Sequence, residues 1–134
     1  MAKKLAMLFE IVFVLVGALG FISNPIVGEG GYFQTDMIHN AIHLVVGVLM
    51  LIMAGNMATL ALNLFGAIYV LLGVIGFVQG GDKLLGLIVH NSHDTWLHLV
   101  LGLVLLAVGM STKGSGSSMP SSGGMTGGMG GMPS

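Results

Sequence analysis

Met57-Ala-Thr-Leu-Ala-Leu-Asn-Leu-Phe-Gly-Ala-Ile-Tyr-Val-Leu-Leu-Gly-Val-Ile-Gly-Phe-Val78 carries no charged side chain. At about 1.5 Å rise per residue, a run of this length crosses the ~30 Å hydrocarbon core of a bilayer as one helix. Three further stretches, 5–22, 37–54 and 95–110, are likewise apolar, the first interrupted by Glu10, and all are near the lower length limit for a span. Of the 134 residues, 54% are hydrophobic and only 7% charged, too few polar side chains to coat a soluble globule. The expectation is an all-α membrane protein: four transmembrane helices in residues 1–110, followed by a disordered Gly/Ser/Met-rich tail over 111–134.

The chain has no cysteine, so disulfides and thiolate metal sites are excluded, and any metal must rely on His, carboxylate or Met. With no arginine and a net charge of −1, it lacks the clustered cations that nucleic-acid binding demands. Lys3 and Lys4 precede an apolar run, as in a signal peptide, but no small-x-small cleavage site follows Phe21 and Glu10 interrupts the run. Between the spans, Asn24-Pro25, Gly28-Glu-Gly-Gly31, Gly55-Asn56 and Gln79-Gly-Gly-Asp82 mark turns, and Asp36 and Asn91 are placed as helix N-caps. Lys3, Lys4 and Lys113 against Lys83 orient both termini to the cytoplasm, with the loops 23–36 and 79–94 outside. Trp96 is an interfacial anchor at that outer boundary, beside Tyr32 and Phe33. The short apolar segment 84–89 is expected to lie in the interface or fold onto the bundle.

The chain can be laid on itself. Leu8-Phe-Glu-Ile-Val-Phe-Val-Leu-Val-Gly-Ala-Leu-Gly-Phe-Ile22 matches Leu64-Phe-Gly-Ala-Ile-Tyr-Val-Leu-Leu-Gly-Val-Ile-Gly-Phe-Val78, aligning Gly17 with Gly73 and Gly20 with Gly76. Ile42-His-Leu-Val-Val-Gly47 then falls on Leu97-His-Leu-Val-Leu-Gly102, pairing His43 with His98. Two tandem helical-hairpin repeats imply a pseudo-twofold four-helix bundle about an axis along the membrane normal. The second and fourth helices then sit diagonally, and the glycines are the small positions for close helix approach.

All five histidines, His39, His43, His90, His93 and His98, fall at the outer ends of the even-numbered helices. His39 and His43 are four apart and share a helical face, and Asp94 and His98 repeat that spacing. His39, His43, Asp94 and His98 therefore form a candidate metal set suited to Zn, Fe or Cu by ligand type. The bland reading treats the same residues as headgroup contacts, caps and interhelical hydrogen bonds. Haem between His43 and His98, and proton transfer by titrating imidazole, are further readings. Glu10 and Asn40 are the other polar groups inside spans, Glu10 shallow enough to pair with Lys3 or Lys4. Met119, Met125, Met129 and Met132 in the tail offer thioethers for Cu(I), against a plainly solvated tail.

Four blocks carry a likeness: Gly20-Phe-Ile-Ser-Asn-Pro25, His39-Asn-Ala-Ile-His-Leu-Val-Val-Gly47, Leu84-Leu-Gly-Leu-Ile88 and Asp94-Thr-Trp-Leu-His-Leu-Val-Leu-Gly102. In order and spacing the chain resembles, over about 5–110, the small four-helix bacterial integral membrane proteins of domain of unknown function 4383. The resemblance implies the fold and carries Asn24, Pro25, His39, Asn40, His43, Trp96 and His98 as matching positions, without an activity.

No metalloprotease helix, nucleophile elbow, Walker loop or dinucleotide fingerprint occurs, so the chain reads as a non-enzyme. The first reading is a structural or accessory membrane protein, with the bilayer and a homo-oligomer or membrane-protein partner as its contacts and no cofactor. The alternatives are a metal- or haem-binding membrane protein with a His-rich site at the outer ends of the second and fourth helices, and a small carrier or channel.

Overall fold

The computed structural model describes residues 1–113, four helices and one small hairpin: α1 (Ala2–Leu19), α2 (Met37–Met53), α3 (Ala58–Gln79), β1 (Lys83–Leu84), β2 (Ile88–Val89) and α4 (Ser92–Lys113). The tail methionines Met119, Met125, Met129 and Met132 lie outside the described residues.

The helix limits follow from local side-chain bonding. The first span was expected to reach residue 22, but α1 stops at Leu19 because Asn24 claims the backbone beyond it. Its Nδ2 donates to the carbonyls of Leu19 (2.8 Å), Ile22 (2.7 Å) and Val27 (2.9 Å), and its Oδ1 accepts from the N–H groups of Ile26 and Val27. Pro25 also bars its predecessor from helical geometry. Asp36 caps α2, its Oδ1 accepting the His39 N–H at 2.8 Å. Asn91 does the same for α4 through the Asp94 N–H at 3.0 Å, which starts that helix at Ser92 rather than at 95. At its far end α4 continues through Ser111 and Thr112, residues the sequence assigned to the tail. Their hydroxyls donate back to the Val108 and Gly109 carbonyls, and Thr59 meets Thr112 across the helix pair at 3.2 Å.

α1 packs along α2 and α3 along α4, while α1 and α3 share a smaller contact. Glycine sets the closeness of both pairs. A Cβ at Gly17 would come 2.9 Å from the Leu44 backbone nitrogen, and one at Gly73 2.8 Å from that of Leu99. Gly47 abuts the backbone at Val14 as Gly102 abuts it at Val70, and Gly20 receives the Asn40 amide where Gly76 receives Thr95. Small residues at helix contacts let backbones approach and gain dispersion contacts.

Beyond those contacts, burial is inverted relative to a water-soluble bundle. Leu8, Ile11, Leu15, Val45, Leu51, Leu60, Leu71, Val100 and Leu103 are exposed along the four helices, whereas Glu10, His39, Asn40, His43, Asp94, Thr95 and His98 are buried. Ala6, Met50, Ala54, Ala58, Ala61, Leu62 and Leu105 form an apolar core toward the chain termini, and the buried polar groups other than Glu10 gather toward the 20–36 and 80–91 connections. Two helices, Ala58–Gln79 and the Ser92–Thr112 part of α4, are long and apolar enough to cross a membrane. α2 has 17 residues, at the lower edge of the range for a span, and the 18 residues of α1 include Lys3, Lys4 and Glu10.

Segment 84–89 folds back as part of the β1–β2 hairpin, with Leu84 opposite Ile88 and Lys83 opposite Val89. Leu85 and Gly86 both take positive φ (53° and 73°), which turns the chain tightly enough to bury Leu84 while Leu85 and Leu87 stay exposed. Gln79 braces the turn, donating to the Lys83 carbonyl and accepting the Leu85 N–H, both at 2.9 Å.

Candidate metal centre

His39 and His43 project from the first two turns of α2, and Asp94 and His98 from the first two turns of α4. These two helices make no direct backbone approach, so the side chains themselves fill the space between their capped ends. His39, His43 and His98 are buried, and one ring nitrogen of each lies within 4.8 Å of the others. The Nε2 atoms of His39 and His43 are 3.1 Å apart. Asp94 Oδ2 lies 3.7 Å from His39 Nε2 and 3.4 Å from His98 Nδ1. A tetrahedral ion with bonds of about 2.0–2.1 Å separates its donors by about 3.3–3.4 Å; the pairs at 3.1, 3.4 and 3.7 Å stand near that spacing, and the three imidazole nitrogens, spread over up to 4.8 Å, draw closer to hold an ion.

The protonation pattern of His39 follows from its neighbour. Its Nδ1 is 2.8 Å from the Val89 carbonyl, a group that only accepts, so Nδ1 carries the proton and a neutral ring leaves Nε2 as a bare lone pair directed into the cluster. A backbone carbonyl on the far nitrogen is the usual orienting contact of a metal-ligating imidazole. Val89 is itself held, its N–H pointing to Asp36 Oδ2 at 3.4 Å, so the cap of α2, the hairpin and His39 form one connected unit. Asp94 Oδ2 and His43 Nδ1 are buried with no hydrogen-bond partner. An unpartnered buried carboxylate oxygen is costly, and a cation is the group that would offset it.

Phe13 and Tyr69 complete the surroundings. Their rings meet at 5.0 Å, Phe13 stacks on His43 at 5.6 Å, and Tyr69 lies 5.1 Å from His98. Sequence reasoning overlooked Tyr69, which aligns with Phe13 in the repeat. It also missed the Val89 carbonyl. A cavity of about 30 Å³ touches all three histidines and Tyr69. No slot for a macrocycle exists between His43 and His98, whose rings stack 5.9 Å apart, so this structure does not fit the haem reading.

The remaining expected residues lie outside the cluster of three imidazoles. His90 bonds Thr95 Oγ1 through Nδ1 at 2.9 Å, and exposed His93 packs on Tyr32 with centroids 4.1 Å apart. Glu10 is buried on α1 with Oε2 unpartnered, and among the described residues it has no ion pair with Lys3 or Lys4. Asn40 is buried against Gly20 with Oδ1 unpartnered. Trp96 is exposed and meets Phe77 edge-on at 4.7 Å. A second cavity, about 550 Å³, opens between the 20–36 connection and the start of α2, bordered by Glu29, Thr35, Asp36, Asn40 and Val89.

No curated protein and no solved structure matches the chain. The family described as domain of unknown function (DUF4383) matches residues 3–111, and the chain, with its buried histidine cluster, belongs to that family.

Proposed function

We propose that the protein is a multi-pass inner-membrane protein that holds one transition-metal ion, zinc, iron or copper, on His39, His43 and His98 with Asp94 beside them. It acts as a binding protein, not an enzyme. The observation that carries the metal reading is the convergence of three buried imidazoles on a buried carboxylate oxygen that has no hydrogen-bond partner. Three imidazoles and a carboxylate are a donor set for these borderline ions.

Membrane insertion is supported by the exposed Leu, Ile and Val side chains on all four helices and by the burial of the ionisable groups. Both termini lie in the cytoplasm, following the lysine distribution. The helices are two copies of one hairpin related by an axis along the bundle. This is supported by the matching glycine contacts and caps of the two halves and by the meeting of aligned residues: Phe13 with Tyr69, His43 with His98, His39 with Asp94.

The 3.1 Å approach of His39 and His43 favours a second reading, in which the cluster is hydrogen-bonded glue of a structural or accessory protein. Metal analysis of detergent-purified protein never exposed to chelator separates the two. The metal reading expects one ion per chain, lost in H43Q and H98Q. Metal-free protein that takes up no zinc, iron or copper on addition leaves the structural reading.

A further inference from the structure

The cavity of about 550 Å³ belongs to a different part of the molecule from the histidine cluster, for none of His39, His43 and His98 borders it. It opens where the 20–36 connection meets the start of α2. Its border carries two carboxylates, Glu29 and Asp36, and among the described residues no lysine or histidine. Glu29 is exposed, and Asp36 is half-buried with Oδ1 already accepting the His39 N–H. That cap also occupies the helix start that an anion would otherwise favour. Two further border residues, Thr35 and Asn40, are 3% and 2% exposed, yet Thr35 Oγ1 and Asn40 Oδ1 have no hydrogen-bond partner. The Asn40 amide lies over Gly20, itself on the border, in the space that a Cβ there would fill. Each unpaired buried oxygen carries a desolvation cost, which a ligand that donates hydrogen bonds offsets.

We infer that this cavity binds a primary ammonium group, carried by a small free amine or by an ethanolamine lipid headgroup. Three N–H donors and a positive charge complement two oxygens that lack donors and two carboxylates beside them. The same carboxylates repel an anion. The volume falls in the range of organic-ligand sites, about 300–1,000 Å³, and exceeds what a metal ion with oxygens at about 2.0–2.6 Å fills. Phe21 and Met37, both exposed on the border, offer apolar surface to the carbon chain that bears the amine. No proposed metal ligand takes part, so the inference stands or falls independently of the metal reading.

Ethanolamine and choline are the first probes, equal in charge but only ethanolamine having ammonium N–H donors. Each is titrated calorimetrically into the purified full-length protein in detergent. In a second arm, native mass spectrometry counts the phosphatidylethanolamine and phosphatidylcholine that the protein retains. The primary amine should bind at least about tenfold tighter than its trimethylated counterpart in one arm or both. Preference in both arms identifies a site open to free amines, and preference for the lipid alone identifies the headgroup as the source. E29Q removes a charge from an exposed side chain, and T35V removes the unpaired hydroxyl at nearly constant shape. Both should weaken amine binding about tenfold, and T35V should unfold at the same or a higher temperature, because that hydroxyl has no partner in the fold. Equal binding of amine and trimethylated counterpart in both arms overturns the inference. Amine binding at the wild-type level in both variants also overturns it. Calcium or magnesium binding that T35V abolishes, with no preference for the amine, overturns it in favour of a metal-cation site.

Discussion

The imidazoles of His43 and His98 stack across the bundle, ring centroids 5.9 Å apart and planes 17° from parallel, each on a different helix and each aligned with the other in the repeat. Helices that share no backbone contact are thus bridged by two identical side chains at the depth where Phe13 and Tyr69 also meet.

That bridge predicts how the site responds to mutation. H43Q or H98Q keeps a hydrogen-bonding group but removes a donor atom, and metal affinity should fall by at least about a hundredfold, with D94N costing about 10–100-fold. Competition against a chromophoric chelator measures all three. In the same samples the loaded wild-type protein should melt higher than the chelated one, by about 2.7 kcal/mol of added stability at ligand one hundred times its dissociation constant. Equal melting with and without metal in all variants would remove the coupling between the site and the fold.

Much of this site was legible in the sequence because its spacing is local. His39 with His43, and Asp94 with His98, each sit on one helical face by the four-residue period, and the alignment of the two halves of the chain pairs those two faces. Tyr69 was not legible, since a tyrosine in an apolar span reads as filler and its partner Phe13 has no polar atom to draw notice. The Val89 carbonyl was out of reach for another reason. Its position depends on a hairpin that turns at Leu85 with φ 53°, a conformation leucine seldom adopts and no apolar pattern announces. The end of α1 was misjudged because apolar Phe21 and Ile22 continue the pattern of the helix, while the termination comes from the side-chain amide of Asn24.

The link from Asp36 through Val89 to His39 should carry stability into metal affinity. D36A removes the cap on the His39 N–H and the contact to the Val89 N–H together. The expected loss is about 0.5–2 kcal/mol in thermal unfolding in detergent, the range for a deleted N-cap. Metal affinity should fall with it, because the hairpin that orients His39 is released. A variant that unfolds more easily yet binds metal as tightly as wild type would show that the hairpin does not position that ring.

The paired glycines predict equivalent sensitivity in the two halves. G17A and G73A each put a methyl group about 2.8–2.9 Å from a backbone nitrogen of the neighbouring helix, where nothing can rotate away. Overpacking of this kind costs roughly 1–3 kcal/mol, and the two variants should agree within about 0.5 kcal/mol if the halves are copies of one hairpin. Denaturant unfolding in mixed micelles provides the comparison. A severe loss in one and none in the other would argue that the glycine contacts match by chance.

The absence of native cysteine allows a direct test of membrane orientation, since any introduced thiol is the sole target. Glu29 is exposed in the connection between α1 and α2, and Ser111 is exposed near the end of α4, at the opposite end of the bundle. Lys3 and Lys4 favour a cytoplasmic start to the chain, and an even number of crossings returns Ser111 to the same side. A membrane-impermeant maleimide applied to intact spheroplasts should therefore label E29C and spare S111C, and disruption of the membrane should make both reactive. Labelling of S111C alone would invert the orientation and place the histidine cluster against the cytoplasm. Labelling of both in intact cells would mean that the helices do not return the chain across the membrane an even number of times.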